Sequence, residues 1–110
     1  MTNTTMSNPS LSKAQKEAFD SVASFERARK AIFKPELRVG LSSAHWEHMF
    51  KGSCERINQV RPQTFKALAD KKLIILIYPT RYKELRRGFT PVLTERGQYV
   101  YANGKYKYII

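Results

Sequence analysis

Apolar positions along the chain change their spacing several times, and each change marks an element. From Lys13 to Phe33 they recur at three- and four-residue steps, through Ala14, Ala18, Phe19, Val22, Phe25, Ala28 and Ile32, which predicts an amphipathic helix. Ser12 and Gln15 stand at the spacing of a capping box, and Pro35 disfavours helical geometry at Lys34, so the helix stops there. At more than five turns its stripe could serve a partner subunit as well as its own core. A second helix is expected after Leu41, capped by Ser42 or Ser43 and carrying Trp46, Met49 and Phe50 on one side. Gly52 is expected to end or bend it. Beyond it, Cys54, Ile57 and Val60 at three-residue steps read either as a further helical turn or as a compact turn.

Arg61-Pro62 opens a third helix, because proline is favoured at the first helical position, where its missing N–H costs nothing. Phe65, Leu68, Ala69 and Leu73 make its inward stripe, and Gln63, Thr64, Lys66, Ala67, Asp70 and Lys71 face outward or flank it. Leu73 to Tyr78 is an unbroken apolar run, too short for another helix and rich in Ile, and predicts a buried strand that Pro79 ends. Residues 79–88, PTRYKELRRG, form an exposed basic loop. Phe89, Val92 and Leu93 suit a returning strand, which Pro91 marks as an edge. Thr94 caps a last short helix. Asn103-Gly104 signals either a hairpin across 98–110 or a helix over 94–102 with a strand after it, and the second reading is preferred. The expected partition is a solvated tail over 1–11, an N-terminal helix over 12–34, a domain over 41–102, and a strand or extension over 103–110.

Charge changes the picture. Twenty Lys and Arg face nine Asp and Glu, a formal net charge of +11. Such a surplus makes a polyanion the natural partner, since each phosphate neutralised releases a condensed counterion. Anionic lipid would call for a basic amphipathic helix with Trp or Phe on its apolar face, and none is evident. No run approaches the ~18 apolar residues of a membrane span, and the first ten residues have neither a basic nor an apolar leader region. The lone Cys54 cannot form an intrachain disulfide, which fits a reducing, cytoplasmic setting.

The order helix, tight connection, Pro-started helix, apolar strand, basic loop and strand, closed by Leu93-Thr94-Glu95-Arg96-Gly97, resembles the winged helix-turn-helix superfamily. "FKALADKKLI" followed some twenty residues later by "LTERGQ" looks like the passage from recognition helix to second wing strand in MarR-like and PadR-like regulators, with Lys72 where a glycine is common. The resemblance implies an α+β fold: a winged helix-turn-helix with a long N-terminal helix and a two- to three-stranded antiparallel wing sheet. It implies double-stranded DNA as partner, a homodimer through the N-terminal helix, and no cofactor. A recognition helix reads base edges with its N-terminal half, where Arg61, Gln63, Thr64 and Lys66 lie. Arg81, Lys83, Arg86 and Arg87 in the wing, with Lys71, are the candidates for phosphate contacts.

Plainer roles compete for several residues. Trp46 and Phe50 suit the core better than a base-stacking platform, and Tyr99, Tyr101, Tyr106 and Tyr108 suit core cover better than single-strand stacking. His45, Glu47 and His48 with Cys54 lack the ligand set of a zinc site, and no nucleophile, base and orienter can be assembled, so neither a metal nor catalysis is expected. The functional expectation is a sequence-specific transcriptional regulator. Its alternatives are an architectural, replication or recombination accessory factor of a mobile element, and a winged-helix protein-interaction adaptor.

Overall fold

The computed structural model describes residues 10–38 and 40–103. Its first helix, α1 (Lys13–Phe33), begins where the pattern predicts. Ser12 Oγ accepts the Gln15 N–H at 3.1 Å while Gln15 Oε1 accepts the Ser12 N–H at 3.2 Å. At the other end Pro35 opens a short 3₁₀ turn, Pro35–Leu37. Arg38 then folds back, donating from Nε to the Ala31 carbonyl at 2.7 Å and from Nη2 to the Ile32 carbonyl at 2.5 Å. Two orphaned carbonyls are satisfied by a cation placed at the negative end of the helix.

α1 is the central pillar of the fold. Phe19, Val22 and Phe25 are fully buried, and Ala18, Ala28 and Ala31 let neighbouring elements approach closely. The stripe expected to serve a partner subunit therefore faces this chain's own core, which joins 12–34 to 41–102 in one packed unit. Leu11, assigned from sequence to the tail, is buried in the same core, and its neighbour Ser10 accepts a hydrogen bond from Lys71 Nζ at 2.7 Å. The fold starts earlier than its composition suggests.

The second helix, α2 (Ser43–Gln59), is capped by Ser42, whose Oγ accepts the His45 N–H at 3.2 Å. Gly52 neither ends nor bends it. The glycine lies on the exposed side with open space around it, while Trp46, Ser53, Cys54 and Ile57 continue the buried face past it. Packing of that face outweighs the ~1 kcal/mol that glycine costs a helix interior. Val60 and Arg61 alone connect α2 to α3 (Pro62–Asp70).

α3 closes in a Schellman motif: Leu73 N–H reaches the Leu68 carbonyl at 3.1 Å and Lys72 N–H the Ala69 carbonyl at 2.9 Å. Lys72 takes the left-handed position at φ 64°. The tight turn survives without the common glycine.

Two strands follow, β1 (Ile74–Ile77) and β2 (Thr90–Leu93), antiparallel with Ile74 opposite Leu93 and Leu76 opposite Pro91. The expected buried strand is buried on one face only. Ile74 packs inward and Leu76 partly so, whereas Ile75 and Ile77 are 50% and 44% exposed. An apolar run does not reveal which of its faces a helix covers, and here α1 and α3 cover one. Pro91 does mark β2 as an edge. Its neighbour Leu93 gives its N–H to the buried carboxylate of Glu26 on α1, so β2 offers no outward donor to a third strand. Among the described residues the sheet has these two strands.

The last helix, α4 (Glu95–Ala102), is the preferred C-terminal reading, capped by Thr94 through the Gly97 N–H at 2.9 Å. A strand after it falls outside the described residues, as do Tyr106 and Tyr108. The architecture is α+β, with four α-helices and a two-stranded antiparallel sheet among the described residues, around one main core.

Candidate nucleic-acid interface

α3 is short, and its amphipathic pattern decides what it shows. Phe65 and Leu68 are buried against the core, where Phe65 meets Phe89 edge-on at 5.3 Å. The opposite side carries Gln63, Lys66 and Asp70, all exposed, one turn apart. Of the four residues expected to read bases, Gln63 and Lys66 lie on this open stripe.

Arg61 and Thr64 point elsewhere. Both line a cleft of about 510 Å³ whose far walls carry Glu17 and Asp20 from α1 and Arg56 and Gln59 from α2. Arg61 is exposed at the mouth, and Thr64 is half-buried. In the cleft the Arg56 and Arg61 guanidiniums face the Glu17 and Asp20 carboxylates, so its charges balance. Lys71, half-buried, donates from Nζ to the Ser10 carbonyl at 2.7 Å.

The basic loop between the strands is not a free wing. Thr80 N–H bonds the Gly88 carbonyl at 3.0 Å, and the Thr80 and Thr90 hydroxyls share a 2.9 Å hydrogen bond, closing its neck. Inside, Leu85 is buried and Tyr82 packs edge-on against Phe25 at 5.4 Å and Phe50 at 5.8 Å. Asn58 of α2 fastens the tip: Nδ2 donates to the Glu84 carbonyl at 2.7 Å and Oδ1 accepts the Arg86 N–H at 2.8 Å. One carboxamide thus matches a carbonyl and an N–H two residues apart, as a neighbouring strand would. Expected as an exposed loop, the segment is docked against α2 and the core, and its cations stay outside. Arg81, Lys83, Arg86 and Arg87 are all exposed.

Docking sets where those cations lie. Asn58 sits four residues before Pro62, so the loop tip is fastened to the last turns of the helix that leads into α3, and the edge-on contact of Phe89 with Phe65 ties the loop's other end to α3 itself. One carboxylate tempers the array, since Glu55 lies 3.6 Å from Arg86 on the surface. Asn58, Glu55 and Arg56 were not legible as part of this region. A polar residue in a helix gives no sign of which loop will fold against it.

The remaining candidates settle into structural roles. Trp46 is buried beside Ala28 and Ala31, with the Arg27 guanidinium 5.8 Å from its ring centroid. Tyr101 packs edge-on against Phe19 at 5.8 Å, and burial followed by the nearby Asp20 raises its pKa. Cys54 is buried, and desolvation, then Glu84 and Glu55, push its thiol up to about 11. A thiol so poised is protonated and unreactive at neutral pH. His45 and His48 are exposed on α2, and among the described residues no three His, Cys, Asp or Glu side chains gather as a metal site. No helix among the described residues is long and apolar enough to cross a membrane. Family models, curated proteins and solved structures were all compared with this chain, and none matches it.

Proposed function

We propose that this chain binds double-stranded DNA in the manner of a winged helix-turn-helix, with the open stripe of α3 in the major groove and the docked basic loop on the flanking backbone. The observation that supports it most is the Asn58 clamp. It fastens the loop that carries four exposed cations to the last turns of α2, the helix that leads into α3, in a chain of net charge +11. Gln63 pairs well with adenine and Lys66 with guanine, while Arg81, Lys83, Arg86 and Arg87 supply phosphate contacts that set affinity rather than sequence. Pro62 has no N–H and the Thr64 N–H is held by the Arg61 carbonyl, so the first turn of α3 offers a phosphate mainly the Gln63 N–H and the positive end of the helix dipole.

On this reading a sequence-specific regulator and an accessory factor differ in how many side chains read bases. With Arg61 and Thr64 facing the cleft, two readers remain on α3, which favours modest specificity and the accessory role. Selection of bound duplexes from a random library, with affinities measured across salt, tests both. A recovered motif supports the regulator, and binding that falls steeply with salt without a motif supports the accessory factor. Absence of binding to any duplex at about 50 mM salt, where phosphate contacts are strong, would sink the DNA reading and leave the adaptor.

A further inference from the structure

The two edges of the sheet are treated differently. The Thr94 N–H to Leu73 carbonyl bond, 3.1 Å, sets the phase of the ladder, so the Leu73 carbonyl and the backbone groups of Ile75 and Ile77 turn toward β2. Ile74 and Leu76 turn theirs the other way, and these groups make no hydrogen bond to any described residue. On β2 the outward positions are Pro91, which has no N–H, and Leu93, whose N–H is held by Glu26. Among the described residues one edge is closed and the other is open.

The open edge also lacks the usual guards. From Leu73 to Tyr78 there is no charge, proline or glycine, and Ile75 and Ile77 leave about half their surface in water. Natural edge strands of this composition are normally blunted or covered, because they template pairing with another strand.

We propose that β1 pairs with β1 of a second copy of this chain, antiparallel, about a two-fold axis at Leu76. An axis at Leu76 sets the outward-facing groups of the two Leu76 residues directly against each other as a hydrogen-bonded pair, and Leu76 is central in the run, which gives the longest ladder. In that register Ile75 of each copy lies across from Ile77 of the other, so four half-exposed isoleucines meet on the outer face. The arrangement is self-complementary in backbone and side chain, which a second copy supplies. The two Lys72 side chains fall at opposite ends of the seam, about eight residues apart, on the order of 26 Å at strand rise, each across from Thr80 of the other copy and so toward its Arg81. Strand pairing alone makes a small interface, with a dissociation constant on the order of 10⁻⁴ M. Because each copy carries +11, salt that screens their repulsion tightens this association, the opposite of its effect on a polyanion contact.

Sedimentation equilibrium of the full chain without nucleic acid tests the seam, at low salt and at about 0.5 M, where screening is nearly complete beyond contact distance. The expected result is a shift from one chain toward two with concentration, stronger at high salt. Ile75→Lys with Ile77→Lys sets like charges across the axis and is expected to leave a folded monomer. Ile75→Lys with Ile77→Glu sets each Lys against the other copy's Glu and is expected to restore pairing, now weakened by salt. Circular dichroism melting checks that both variants fold. A wild-type chain that stays monomeric near 1 mM, well above the expected dissociation constant, overturns the proposal. So does a folded Lys/Lys variant that associates like wild type, or a folded Lys/Glu variant that does not associate. None of these readouts involves DNA, so the seam and the DNA reading stand or fall separately.

Discussion

Gly97 of α4 lies directly against the carbonyl of Leu73, where the chain leaves α3 for β1: a Cβ at position 97 would sit 2.0 Å from that oxygen. The approach is held from both sides. Thr94 donates its hydroxyl to the Lys72 carbonyl at 2.5 Å and its N–H to the Leu73 carbonyl at 3.1 Å, so the cap of α4 is stitched to the turn that ends α3. The obstacle is backbone, which cannot rotate aside as a side chain would. Gly97→Ala is therefore expected to destabilise the fold by about 3 kcal/mol, at the upper end of overpacking costs. Urea unfolding reads this directly, and an unchanged midpoint would contradict the contact.

Lys72 pays for its left-handed backbone. A lysine at φ 64° is strained by its Cβ, which glycine lacks, and the strain at such positions is about 1 kcal/mol. Lys72→Gly should raise stability by that order, and Lys72→Val, β-branched, should lower it by more. Thermal melting of the two variants against wild type separates them. Equal melting temperatures would mean that the turn adopts another geometry in solution.

The Cys54 thiol makes the fold sensitive to alkali. Below pH 9 both folded and unfolded chains hold the proton, so the thiol's contribution is fully present. Between pH 9 and about 11 the unfolded chain releases it while the folded chain retains it, and stability falls as pH rises through this window. Tyr101, raised in the same direction, adds to the fall. Cys54→Ala should flatten the pH profile of the urea midpoint above pH 9. A thiol-specific reagent should label wild type slowly at pH 8 and rapidly once urea unfolds it; fast labelling of the folded chain would contradict the burial.

These features also mark how far the sequence could be read. The boundaries of α1 and the identity of its caps were legible, because Ser12, Gln15 and Pro35 act through local backbone chemistry. The Thr94 cap and the short α4 were legible for the same reason. Gly52 misled, since a glycine's helix-ending tendency is a local cost of about 1 kcal/mol and burial of Ser53, Cys54 and Ile57 beyond it is worth more. Leu11 was lost to the composition of its neighbours. The face of β1, the partner of Lys71 and the docking of the basic loop depend on contacts between residues far apart in the chain. Asn58 and Arg86 are 28 residues apart, and no periodicity carries that information.

Asn58 provides the sharpest link between this packing and the proposed DNA contact. Its carboxamide satisfies the Glu84 carbonyl and the Arg86 N–H together, and Ala at this position leaves both to water. Leu85, buried between them, and Tyr82 still hold the loop to the core, so Asn58→Ala should cost about 1–2 kcal/mol of stability and leave the chain folded. The loop tip gains freedom, and its cations must then be ordered on binding. Affinity for duplex is expected to fall about tenfold, with the dependence on salt nearly unchanged, because the same phosphates are met at a higher entropic cost. Arg86→Ala should act differently, lowering the salt slope by about one because it removes a phosphate contact. Fluorescence anisotropy on a labelled duplex across salt distinguishes the two. If Asn58→Ala matches wild type in affinity at every salt concentration, the clamp is structural only and the loop's cations bind without being held in place.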